Sequence, residues 1–200
     1  MVGFDLDMTL VDSREGITLT MEKVLAEFNV YVPRDEIFQT IGLPLWDSFP
    51  KWISAEQVDP AVVRYRELYK STGIPITTIM PGALESLDAI HEAGGRTMVV
   101  SAKLEAAVQK IVKLLNLPLD VVRGDLFAAS KADALLEESA AIYVGDHPAD
   151  VIGARAAGAI SVAVLTGPAS MNDLRAEGAE VILADLLAFP AWLDTWLAQR

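Results

Sequence analysis

Asp5 and Asp7 stand two residues apart in Phe4-Asp5-Leu6-Asp7-Met8-Thr9, directly after a short apolar run. Carboxylates this close at the end of a buried segment repel each other and lose hydration unless a cation stands among them. Magnesium suits the role, because it prefers hard oxygen ligands. One carboxylate is then fit to attack phosphorus and the other to carry a proton to and from the reacting oxygens. The same residues also suit a turn or a helix cap, so this motif alone leaves both readings open. A second acidic set, Gly145-Asp146-His147-Pro148-Ala149-Asp150, follows the apolar Ile142-Tyr143-Val144. Gly145 permits a sharp turn and a close backbone approach. Asp146 and Asp150 offer further oxygens to the same ion, or alternatively cap a helix N-terminus.

For these groups to meet, the segments that precede them must lie side by side. Met1 to Leu6, Thr97 to Val100, Val121-Val122, Ala141 to Val144, Ile160 to Leu165 and Glu180 to Leu183 are short apolar runs. They alternate with stretches of helical periodicity, Ala83 to Ala93, Leu104 to Leu115, Lys131 to Ser139 and Asp150 to Ala157 among them. A last helix, Leu186 to Gln199, is interrupted or restarted at Pro190. Such alternation predicts an α/β protein, with a Rossmann-like parallel sheet core and helices on both faces. Ligands of open α/β sheets bind at the carboxyl ends of the strands. Three of the expected strands end there on polar residues: Asp5 and Asp7, Ser101, and Asp146.

Residues 14–78 follow another rhythm. Ile17, Met21, Val24, Leu25 and Phe28 share one helical face, and no strand is expected between Ser13 and about Leu68. Pro33, Gly42-Leu43-Pro44, Pro50 and Pro60 divide it into short pieces, and Ala61 to Tyr69 forms a further helix. The expected division is a core of residues 1–13 and 79–200 with a small helical cap of residues 14–78 inserted after the first strand.

Composition narrows the partners. The 200-residue chain is 52% hydrophobic, which excludes general disorder, and it has no cysteine, which excludes disulfides and thiolate chemistry. A net charge of −12 without a run of Lys or Arg argues against nucleic acid and anionic membrane surfaces. The longest apolar stretches are too short to span a bilayer. Met1 is followed by no basic stretch, apolar region or cleavage site, so no signal peptide and a cytoplasmic location are expected. The apolar lead before Asp5 is brief; either the strand is short or the start lies upstream.

With these motifs in order, the chain resembles the haloacid dehalogenase superfamily of phosphohydrolases, near its phosphoglycolate phosphatase and β-phosphoglucomutase branch. The resemblance is carried by Phe4 to Ser13, Val99-Val100-Ser101, Lys131, Val144 to Asp150, Ala154 to Ala159 and Met80 to Leu84. It is looser over residues 14–78. It implies a magnesium-dependent hydrolase acting on a small-molecule phosphate ester through an aspartyl-phosphate. Asp5 would be the nucleophile and Asp7 the acid and base. Asp5, Asp146 and the Asp7 carbonyl would hold magnesium, with Asp150 in support. Ser101 and Lys131 would bind the phosphoryl group, aided by backbone N–H groups near Leu6-Asp7 and Ala102, with Thr9 shaping the first loop.

Three positions depart from the family pattern. Met8 replaces the usual glycine and is expected to narrow the entrance. Ala102 replaces a frequent asparagine. Lys131 lacks the common following proline, which leaves Lys103 as a rival phosphate-binding cation, although Lys103 reads equally well as an exposed first-turn lysine. His147 is expected to serve the local loop rather than catalysis, and His91 to lie at the surface. The turn Thr40 to Trp46 carries no charge, so a second substrate anion is not expected there; Lys51, Arg64 and Arg66 are alternatives. Trp46 alone of the four tryptophans is placed to meet a ligand. The rival activities are a β-phosphoglucomutase-like phosphomutase and a catalytically idle binding protein on the same fold. A dehalogenase is disfavoured by Asp7, and a phosphonatase rests only on Lys23.

Overall fold

The computed structural model describes residues 1–199. Its elements alternate as the apolar runs predict. β1 (Val2–Phe4) and β2 (Val11–Asp12) are followed by four helices, α1 (Arg14–Glu27), α2 (Arg34–Phe38), α3 (Leu45–Ser48) and α4 (Ala55–Thr72). Then come β3 (Thr78–Ile79), α5 (Ala83–Glu92), β4 (Thr97–Val100), α6 (Glu105–Leu115), β5 (Val121–Arg123) and α7 (Lys131–Glu137). The chain ends through β6 (Ile142–Gly145), α8 (Pro148–Ala156), β7 (Ile160–Val164), α9 (Met171–Ala176), β8 (Val181–Leu183) and α10 (Phe189–Leu197).

Six strands form one parallel sheet in the order β5-β4-β1-β6-β7-β8. β1 is central, and the winding reverses across it, so the ends of β4, β1 and β6 border the crevice where such sheets bind ligands. Successive strand residues face opposite sides. Phe4, Val99, Val144 and Val162 pack with Leu87, Ile90, Val108, Ile111, Phe189 and Leu193 on one face. Met98, Val100 and Tyr143 pack with Leu135 and Ala154 on the other. The expected fold class is the observed one. Among the described residues, no helix is long and apolar enough to cross a membrane.

β2 and β3 form a separate antiparallel ribbon, with Val11 opposite Ile79 and Asp12 opposite Thr78. The four helices are inserted between its two strands. Ile17, Met21, Val24 and Leu25 of α1 are buried, as their spacing predicts. Pro60 does not divide the stretch: it lies inside the single long helix α4, which begins well before Ala61. Ser54 caps that helix with Gln57, and Pro60 stands exposed in its second turn, where its missing N–H removes only the one bond to the Glu56 carbonyl.

Two further expectations are corrected. The first strand stops at Phe4 rather than Leu6, because the Leu6 carbonyl accepts the N–H groups of Thr9, Leu10 and Val11 and closes a tight loop. Met8 does not narrow an entrance: it adopts φ +62° within that loop and its side chain is fully buried in the core. Thr166 Oγ1 donates to its carbonyl at 2.5 Å and helps hold this left-handed residue.

Candidate active site

Asp5 follows β1 immediately, and its N–H donates to the Val144 carbonyl, so the sheet itself fixes the backbone beneath this carboxylate. Across the sheet, Lys131 opens α7 and is 2% exposed. Its ammonium donates to Asp5 Oδ1 at 2.6 Å, to Asp150 Oδ1 at 2.6 Å and to the Tyr143 hydroxyl at 2.9 Å. The Tyr143 hydroxyl in turn donates to the Val100 carbonyl. All three ammonium protons are thus engaged, and the lysine is rigidly seated.

Asp146 lies in the turn between β6 and α8, and Asp150 in the first turn of α8. Asp146 Oδ1 accepts the Thr9 hydroxyl at 2.8 Å, which joins this turn to the first loop. Asp146 Oδ2 is buried without a partner. Gly167 borders this carboxylate so closely that a β-carbon would overlap it, and a β-carbon on Gly145 would likewise overlap the Asp150 carboxylate. Asp150 Oδ2 accepts the His147 N–H. His147 caps α8, its Nδ1 accepting from Ala149, and its ring supports Gly42 of the inserted segment, whose β-carbon would lie 2.9 Å from Cδ2. That is the local role expected of it.

Asp7 is held from the opposite side. Lys103 donates to Asp7 Oδ2 at 2.8 Å, while Asp7 Oδ1 is buried without a partner. The expectation of an exposed lysine is therefore corrected, since the Lys103 side chain is only 11% exposed. The two lysines divide the acidic residues between them, Lys131 on Asp5 and Asp150, Lys103 on Asp7. Ser101 is buried at the end of β4 and its Oγ accepts the Lys103 N–H. Asp5, Asp7, Ser101, Ala102 and Lys103 border a cavity of about 300 Å³. The uncharged turn Thr40 to Trp46 forms part of its far wall with Tyr65, Arg66 and Tyr69 of α4. Arg66 stacks over Trp46 at 4.7 Å, so both of these residues meet the cavity.

Four carboxylates face two ammonium groups, and the electrostatics follow. Burial pushes Asp5 up from 3.8 to about 7; Lys131 pulls the other way, and Asp150 and Asp7 add to the rise. Asp146 is held well above its ordinary value by burial and then by Asp150 and Asp5. Burial opposes the charge of Lys131, but Asp150 and Asp5 outweigh it and hold the group cationic; Asp7 does the same for Lys103. One oxygen each from Asp5, Asp146 and Asp150 lie within 4.8 Å of one another. The oxygen-only donor set, its excess negative charge and the unpartnered Asp146 Oδ2 fit a small divalent cation such as magnesium.

The expected site residues Asp5, Asp7, Thr9, Ser101, Ala102, Lys131, Asp146 and Asp150 stand at this one end of the sheet, Asp5, Asp7, Ser101 and Ala102 on the cavity wall and the other four buried outside its lining. Sequence reasoning missed Tyr143 and Tyr69. For Tyr143 the available signal was a phenol within an otherwise apolar strand, since a buried hydroxyl demands a partner. His91 is half-buried and sits 3.2 Å from Asp120, remote in role from this cluster.

Residues 2–164 match the family model for haloacid dehalogenase-like hydrolases. The chain is 32% identical to a phosphoglycolate phosphatase of Rhodospirillum rubrum, over 96% of this chain and 90% of that protein. It is 29% identical to a 5'-nucleotidase of Pseudomonas aeruginosa, over 96% and 94% of the two chains. A haloacid dehalogenase-like hydrolase structure from Streptococcus pneumoniae superimposes with a TM-score of 0.86 at 27% identity, covering 98% of this chain and 97% of that one. Strand-end acids, paired lysines, sheet order and these matches agree: the chain belongs to the haloacid dehalogenase-like hydrolase family.

Proposed function

We propose that the protein is a magnesium-dependent phosphatase that hydrolyses a small-molecule phosphomonoester through an aspartyl-phosphate. The observation that carries this reading is the meeting of Asp5, Asp7, Asp146 and Asp150 with Lys131 and Lys103 at the switch point of the sheet. The phosphatase and nucleotidase relatives support the same class of chemistry.

Asp5, fixed on β1, is the nucleophile. Its carboxylate oxygen bonds to phosphorus as the bond from phosphorus to the leaving oxygen breaks, and Asp7 gives that oxygen its proton. Water then attacks the aspartyl-phosphate and Asp7 recovers a proton from it. The bond from phosphorus to Asp5 breaks, which releases inorganic phosphate and restores both carboxyl groups. Ser101 and the backbone at Ala102 cradle the phosphoryl oxygens, Lys131 joins them when a phosphoryl oxygen takes the place of one of its three present acceptors, and Thr9 holds Asp146 in place. Magnesium, held by Asp5, the Asp7 carbonyl and Asp146 with Asp150 behind, supplies charge neutralisation for the acids and the phosphoryl group. Residues 14–78 act as the cap that covers the cavity and excludes water.

Phosphate release from p-nitrophenyl phosphate, with magnesium and with chelator, tests the assignment. The wild type should turn over only with the metal, and Asp5→Asn should lose about 1,000-fold or more in kcat. Turnover retained by Asp5→Asn, with deamidation excluded by mass spectrometry, would defeat it.

A further inference from the structure

Lysine is a flexible point charge, and a lysine that serves a reacting group must be held by something besides that group. The backbone of Lys103 is well fixed: its N–H donates to Ser101 Oγ and its carbonyl accepts from Asp125. The ammonium is fixed on one side by Asp7 Oδ2 and on the other by the face of Tyr69, whose ring centroid lies 4.6 Å away. Tyr69 belongs to α4, so the inserted segment supplies this second support. Its ring is itself firmly seated. Tyr65 stacks on it at 5.4 Å and 13°, and both tyrosines are buried. Gly73 lies flat beneath the ring, where a β-carbon would overlap it, and Gly16 of α1 meets the Gly73 backbone so closely that its own β-carbon would lie 2.8 Å away. Two glycines, a stacked pair of rings and one ammonium thus form a continuous column that ends on Asp7.

That column selects an oxygen. With Lys103 on Oδ2, only Oδ1 of Asp7 is left without a partner, and Asp7 borders the cavity. We propose that Tyr69 is a positioning residue, whose ring face keeps Lys103 on Asp7 Oδ2 and so presents Oδ1 to the leaving-group oxygen. This inference rests on the proposed role of Asp7 as the group that protonates that oxygen.

The test compares two esters of nearly the same shape whose leaving groups differ in basicity. Phenolate needs a proton as it departs, whereas p-nitrophenolate departs with little help. Tyr69→Met keeps apolar bulk without the ring face, and Tyr69→Phe keeps the ring. In Tyr69→Met, kcat on phenyl phosphate should fall at least about ten-fold more than kcat on p-nitrophenyl phosphate. Tyr69→Phe should stay within about two-fold of wild type on both esters. Lys103→Met should show the same discrimination, and adding Tyr69→Met to it should not deepen it, because both act through one contact. Equal losses on the two esters in a folded Tyr69→Met, or a Tyr69→Phe variant as impaired as Tyr69→Met, would overturn the inference. Should Tyr69→Met not fold, equal losses on the two esters in Lys103→Met would overturn it equally. Asp7→Asn separates the layers. If it discriminates strongly between the esters while Tyr69→Met does not, only the positioning role fails; if it does not discriminate, the role of Asp7 itself fails.

Discussion

Lys131 uses all its protons on Asp5, Asp150 and Tyr143, and each of those partners is buried with it. Removing one member of a buried ionic set leaves the others uncompensated. Lys131→Met should therefore lower the stability of the metal-free protein by about 3 kcal/mol, read from urea midpoints at constant slope. The raised Asp5 sets a pH dependence with a definite sign. Its folded value of about 7 lies above the 3.8 of the unfolded chain, so the folded state binds this proton more tightly. The resulting stability is present at pH 4 and is lost as pH rises towards 7, at up to about 1.4 kcal/mol per pH unit. In chelator, Tm should fall across that interval, and Asp5→Asn should flatten the decline. A Tm that stays level or climbs in the wild type would contradict this electrostatic account. At this scale the strand-end acids were legible because two acidic sets follow separate apolar runs: a turn or a helix cap accounts for either set alone, but their convergence at strand ends points to one site. The seating of Lys103 was not, because a lysine beside a helix start looks solvated until Asp7 and Tyr69 are brought to it by distant parts of the chain.

Among the elements, the parallel strands could be read from their apolar runs, and α1 from its spacing, since burial on both faces or on one stripe leaves a periodic trace. The ribbon of β2 and β3 left none, because two-residue strands pair only through tertiary context. Pro60 misled for a related reason: proline marks an end only where the helix depends on the missing N–H, and the cap at Ser54 starts α4 earlier. Glycine placement matters more than the boundaries. Gly167 clears the space beside Asp146 Oδ2, so Gly167→Ala should displace that carboxylate. The expected outcome is a loss of about ten-fold or more in magnesium-dependent kcat. Circular dichroism should remain unchanged, and magnesium should produce a smaller rise in Tm than in wild type. A full magnesium response in this variant would show that Asp146 tolerates displacement.

Over the molecule as a whole, the charge of −12 sets the field that an anionic substrate meets before it reaches either lysine. Screening that repulsion should help association. At saturating magnesium, kcat/KM for p-nitrophenyl phosphate should rise about two-fold between roughly 20 and 200 mM salt, with kcat unchanged. A fall would mean that the local cations dominate encounter.

The pairing of Asp12 with Thr78 has a consequence for how such a protein can change over time. The chain leaves for the inserted helices after Asp12 and returns at Thr78, side by side on one rung of the β2–β3 ribbon. Any replacement whose two ends meet in the same way can be grafted at that junction while Asp5, Ser101 and Asp146 keep their places. The acidic centre and the inserted wall of its cavity are thereby free to diversify at different rates, a modular economy written into two rungs of one short ribbon.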